Sequence, residues 1–83
     1  MDPQKNALTE QEELKILGEI LEAYIDTQIE KDAFLISDLG LDSFLIVYFI
    51  SEVDDRFGVT IEMPEHVEYM TVQDVLDQLN QKN

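Results

Sequence analysis

The run Ser43-Phe44-Leu45-Ile46-Val47-Tyr48-Phe49-Ile50-Ser51-Glu52-Val53-Asp54-Asp55-Arg56-Phe57-Gly58 decides the fold. Wound at helical periodicity, it brings Ile46, Phe49, Ile50, Val53 and Phe57 onto one face, which must point to a core. Asp42 or Ser43 opens this helix, since both residue types bond the amides of a first turn. Gly58 closes it, as a residue free to turn left-handed does. The opposite face holds Phe44, Val47, Tyr48, Ser51, Asp54 and Asp55. A fully buried helix would not tolerate Ser51 and two aspartates there, and a simple solvent face would not carry Phe44, Val47 and Tyr48. A partner-binding patch accounts for the mixture.

Upstream, residues 29–42 read as a loop anchored by Ile29, Leu35, Ile36 and Leu39 and punctuated by Gly40. A loop of that length within a small domain is either functional or held by its own apolar contacts. Before it, Thr9 and Glu12 have capping-box spacing. The helix they open aligns Leu14, Leu17, Leu21, Tyr24, Ile25 and Gln28 on one side, widened by Ile16 and Ile20. Gly18 interrupts it, either to allow close packing or as a tolerated defect. Downstream, Val59-Thr60-Ile61 has β-branched character but no second strand to pair with. Pro64 suits the first turn of a short helix over 64–69. Thr71, with Asp74 three residues on, opens a last helix whose apolar face is Val72, Val75, Leu76 and Leu79. The expectation is an all-α four-helix bundle with a long first loop and a short third helix. Residues 1–8 would be a flexible N-terminus and 9–83 a single domain.

Composition narrows the chemistry. The chain has 83 residues, no cysteine and one histidine, so disulfides, thiolate metal sites and a nucleophilic thiol of its own are excluded. No apolar run nears the ~18 residues that cross a bilayer, and the first residues lack a secretory pattern. A cytoplasmic, monomeric protein is the expectation. Nineteen acidic against five basic residues give a net charge of −14, which repels nucleic acid and anionic lipid. A basic patch on a protein partner would be attracted. Periodic apolar residues making up 45% of the chain argue against disorder.

Ser43 stands where the loop enters the central helix, a place suited to a phosphodiester. Unpaired amides and the positive end of the helix dipole meet there. Gly40 permits a tight turn and leaves the approach clear. Taken alone, an Asp-Ser pair before an apolar run is more often only a cap.

The wider pattern is more specific. Asp38-Leu39-Gly40-Leu41-Asp42-Ser43 resembles the Asp-Leu-Gly-x-Asp-Ser signature of the acyl carrier protein family. Phe57-Gly58 resembles the family's Phe-Gly at the same distance from the serine. Leu35 and Ile36 sit at its loop anchors, and Thr71-Val72 resembles the opening of its last helix. The resemblance spans roughly residues 9–80. It implies that Ser43 accepts 4′-phosphopantetheine from coenzyme A, through a separate magnesium-dependent phosphopantetheinyl transferase. The arm's thiol would then carry acyl groups as thioesters to acyl-transferring, ligase or synthase enzymes. Asp38, Asp42, Asp54 and Asp55 match acidic positions of the family's docking surface for basic partners. Phe44, Leu45 and Tyr48 depart from it, since leucine and then polar or acidic residues are usual there, and Pro64 comes late. These departures point to a dedicated carrier of a specialised pathway, such as polyketide-type assembly, rather than the carrier of general fatty acid synthesis. The signature differs from the Gly-Gly-His-Ser or Gly-Gly-Asp-Ser of peptidyl carriers, which favours acyl over aminoacyl cargo, and a D-alanyl carrier of cell-wall teichoic acid synthesis stays open as the alternative.

Three other classes compete. An enzyme would need His66 as a base, yet no nucleophile is tied to it by spacing. A calcium binder would need an Asp-x-Asp-x-Asp-Gly loop, which is absent. An acidic interaction module without a prosthetic group would share everything but the use of Ser43.

Overall fold

A computed structural model describes residues 8–81; the expected flexible N-terminus therefore falls, for residues 1–7, outside the described residues. Three α-helices follow one another: α1 (Glu10–Leu21), α2 (Ser43–Phe57) and α3 (Val72–Gln81), with a 3₁₀ turn at Val67–Tyr69 before the last. The all-α expectation holds, and no strand occurs among the described residues. The four-helix count does not. The short helix expected over 64–69 contracts to the three-residue turn, and Pro64 lies outside it in extended chain.

The capping signals read from the sequence act as expected. At α1 the Thr9 hydroxyl accepts from the Glu12 amide at 3.1 Å, while the Thr9 amide donates to the Glu12 carboxylate at 2.9 Å. Thr71 and Asp74 form the same reciprocal pair before α3, at 3.2 and 2.9 Å. The apolar stripe of α1, however, outruns its helix. The amides of Tyr24 and Ile25 both bond the Leu21 carbonyl, at 2.8 and 3.1 Å, and the chain turns away. Tyr24 is thereby left half-exposed and Gln28 exposed, instead of lining the core face.

The core forms where Leu17, Ile20 and Leu21 of α1 meet Ile46, Phe49 and Val53 of α2 and Val72, Val75, Leu76 and Leu79 of α3. Burial of such side chains is worth about 1.5–3 kcal/mol each. The 22–42 segment adds Ile29, Leu35, Leu39 and Leu41 to this core, so its backbone is fixed by four buried anchors. It also bonds to the approach to α3: the Leu35 amide donates to the Met70 carbonyl at 3.0 Å and the Val72 amide to the Ala33 carbonyl at 3.0 Å. These bonds flank the isolated bridge between Phe34 and Thr71.

Val59-Thr60-Ile61 is extended, with Val59 and Ile61 buried. Its backbone partner is a side chain. Gln78 of α3 accepts from the Glu62 amide and donates to the Glu62 carbonyl, both at 2.8 Å. Glu13 of α1 is fully buried and accepts from the Asn80 side chain at 3.3 Å, a polar link between α1 and α3 within the apolar surroundings.

Candidate functional site

The turn leading into α2 is built by its own hydrogen bonds. The Asp38 carboxylate accepts from the Phe34 amide at 2.8 Å, and the amides of Asp38 and Leu39 both reach the Phe34 carbonyl at 3.1 Å. Gly40 follows with φ +74°, a left-handed backbone that side-chain-bearing residues resist. A Cβ on Gly40 would project into open space, so conformation and not crowding selects glycine here. The Leu41 side chain, 2% exposed, then pins the entry to the helix.

Asp42, in extended conformation, is the cap: its carboxylate accepts from the Leu45 amide at 2.9 Å and its carbonyl from the Ile46 amide at 2.9 Å. The cap is therefore not Ser43, which the sequence left as an equal candidate. Ser43 is the first helical residue, exposed, and its hydroxyl is not engaged in capping. The Ser43 and Phe44 amides have no partner in the described chain, so two first-turn donors remain open beside that hydroxyl. No acidic side chain stands in the first turn of α2.

The outer face of α2 divides. Phe44 is 75% and Val47 59% exposed, whereas Leu45 and Tyr48 are half-buried and lean on the core. Ser51, Asp54 and Asp55 are exposed toward the C-terminal end. At 1.5 Å per residue Asp54 stands about 16 Å along the axis from Ser43, so the acidic and apolar parts of this face are separate zones. The Tyr48 ring meets Tyr24 edge-on, centroids 5.1 Å apart and planes at 64°. Loss of solvent around the Tyr48 phenol, then the Glu52 carboxylate and Tyr24, raises its pKa above the ordinary 10.0. Tyr24 is the residue that sequence reading missed on this surface, because its helical phase placed it in the core.

His66 is exposed just before the 3₁₀ turn, its ring 3.3 Å from Glu68 and with no nucleophile in contact. No group of three or more His, Cys, Asp or Glu among the described residues could hold a metal ion. No described helix is long and apolar enough to cross a membrane. A cleft of about 600 Å³ opens between α1 and residues 25–31, floored by Leu14, Gly18, Ile25 and Ile29, and no residue of α2 lines it.

Residues 14–79 match the family model described as the phosphopantetheine attachment site. The chain belongs to that family. It is 28% identical over 69 residues to the acyl carrier protein of Desulforapulum autotrophicum, covering 83% of this chain and 90% of that relative. No solved structure matches. As a member it is a carrier by family, and its cofactor is 4′-phosphopantetheine. The head of α2 fits such a group: an exposed hydroxyl and two open amides suit a phosphodiester.

Proposed function

We propose that Ser43 is the attachment residue and that residues 9–83 act as one monomeric, cytoplasmic carrier unit. The observation that carries this reading is the division of labour at the head of α2, where Asp42 caps and leaves the Ser43 hydroxyl free. In loading, the Ser43 oxygen bonds the phosphorus that bears pantetheine, the pyrophosphate link of coenzyme A breaks, and adenosine bisphosphate leaves. The hydroxyl proton passes to the transferase, with magnesium balancing the phosphate charge. Gly40 and the Asp38 turn set the approach to the hydroxyl, and Asp42 fixes the helix start. The arm's thiol then holds acyl groups as thioesters for partner enzymes.

Partners would dock on α2 in two zones. Phe44 and Val47, backed by Leu45 and Tyr48, meet an apolar pocket beside the attachment point. Asp54 and Asp55, with Ser51 beside them, form the second zone and face basic residues, as do Asp38 and Asp42 at the approach to Ser43, and a net charge of −14 speeds that encounter at low salt. An apolar zone next to Ser43 favours a dedicated partner in a specialised acyl pathway.

The test is intact mass after incubation with coenzyme A, magnesium and a promiscuous phosphopantetheinyl transferase. The wild-type protein gains one phosphopantetheine and Ser43→Ala gains none. An equal gain in both would place the arm elsewhere.

A further inference from the structure

Four side chains near Ser43 form one uncharged strip drawn from two elements. Counting about 100° per residue from Ser43, Val47 lies at about 40°, Phe44 at about 100° and Tyr48 at about 140° around α2. Phe44 and Val47 are exposed, and Tyr24 extends the strip beyond the helix through its ring contact with Tyr48 at 5.1 Å. Tyr24 is itself 50% exposed, so part of its ring remains open.

We propose that this strip is a resting surface for the cargo at the end of the arm, and that the cargo it fits is a neutral, planar aromatic acyl group. The inference rests on Ser43 as the attachment residue. The path from Ser43 around α2 to Tyr48 is on the order of 14 Å on a helix about 10–12 Å across. The linear backbone of the arm is as long as four to five residues of extended chain, on the order of 16 Å. An arm laid over Val47 and Phe44 therefore delivers its thioester to the tyrosine pair.

Charge and packing select the cargo. The Asp42 carboxylate at the helix cap and the Glu52 carboxylate near Tyr48 flank the strip, Asp54 and Asp55 lie further along, and the chain as a whole is at −14. Between those carboxylates an anionic acyl group is repelled, and a neutral one is not. The inner face of α2 is closed, with Ile46 1% exposed and Phe49 and Val53 fully buried, so entry into the core would displace packed side chains. The outer strip needs no such displacement. Phe44, Tyr48 and Tyr24 offer edges and faces for ring-on-ring contact, which a saturated chain cannot return. Tethering keeps the cargo at high local concentration, so a weak contact is enough to populate the rested state.

The experiment loads isotope-labelled protein from cinnamoyl-coenzyme A or octanoyl-coenzyme A with the transferase, confirms loading by intact mass, and compares NMR spectra with the unacylated holo form. The cinnamoyl form should shift Tyr24, Phe44, Val47 and Tyr48 at least about twofold more than the octanoyl form, as ring contact requires. Tyr24→Ala, outside the helices, should reduce the cinnamoyl shifts to the octanoyl level, and Phe44→Ala serves as a second variant. Mass gain with equal shifts from both cargoes, or with shifts centred on Phe49, Val53 and Met70, would overturn the inference while Ser43 stands. No mass gain from either thioester would overturn the Ser43 reading and this inference with it.

Discussion

The heads of α2 and α3 solve the same problem with different residues. Each helix begins with amides that lack intrahelical partners. At α3 the hydroxyl residue itself is the cap: Thr71 accepts from the Asp74 amide, and the Asp74 carboxylate returns to the Thr71 amide. At α2 an aspartate caps, the hydroxyl residue is moved one position into the helix, and the third residue is Leu45, which returns nothing. Both side chains of the α3 pair are consumed by structure. The α2 arrangement satisfies one amide and leaves a hydroxyl and two amides for something outside the chain. A one-residue shift of the hydroxyl separates a side chain used as a cap from one left exposed.

That contrast can be broken at several points. The largest effect is expected for Ser43→Ala, which should abolish phosphopantetheine loading by intact mass while changing the free energy of unfolding in urea by no more than about 0.5 kcal/mol, as at an exposed position without a capping role. Gly40→Ala forces a Cβ onto a φ of +74° and should cost about 1–2 kcal/mol in urea unfolding, with slower loading because the turn before Asp42 is disturbed. Asp42→Ala and Thr71→Ala should each cost about 1 kcal/mol, the usual loss of an N-cap, but only Asp42→Ala should slow loading. Equal loading rates in that pair would remove the functional half of the contrast. Gly18→Ala, in mid-α1, should stabilise by up to about 1 kcal/mol and leave loading unchanged. Its new Cβ meets the Ile29 side chain at 3.6 Å, an ordinary contact, so the thermal midpoint should rise.

Legibility followed the range of the interactions. Capping boxes join residues three apart, and the Gly58 stop is read at one position, where φ is +70° and its amide bonds the Asp54 carbonyl at 2.8 Å. Those features and the core faces of α2 and α3 could be read directly. The end of α1 could not, because Tyr24 and Ile25 continue the helical phase past Leu21 while a tight turn takes the backbone elsewhere. The helix expected from Pro64 shrank to Val67–Tyr69, since Glu62 is committed to Gln78 sixteen residues away and holds the chain extended up to the proline. Buried Glu13 was equally invisible, as its Asn80 contact spans sixty-seven positions. At the candidate site, the left-handed turn at Gly40 was legible in the sequence. Which of Asp42 and Ser43 caps depends on a single backbone conformation, and both residue types are good caps.

The clasp of Gln78 on Glu62 also bears on how this chain behaves among its own copies. An extended stretch with Val59 and Ile61 beside it offers the backbone groups that a neighbouring molecule's strand would seek, the usual start of edge-to-edge aggregation. The Gln78 amide already occupies both positions of Glu62, donating to one and accepting from the other in the manner of a strand. A single side chain thus seals the edge of a sheet that was never built, and mutual repulsion at −14 guards what it leaves uncovered.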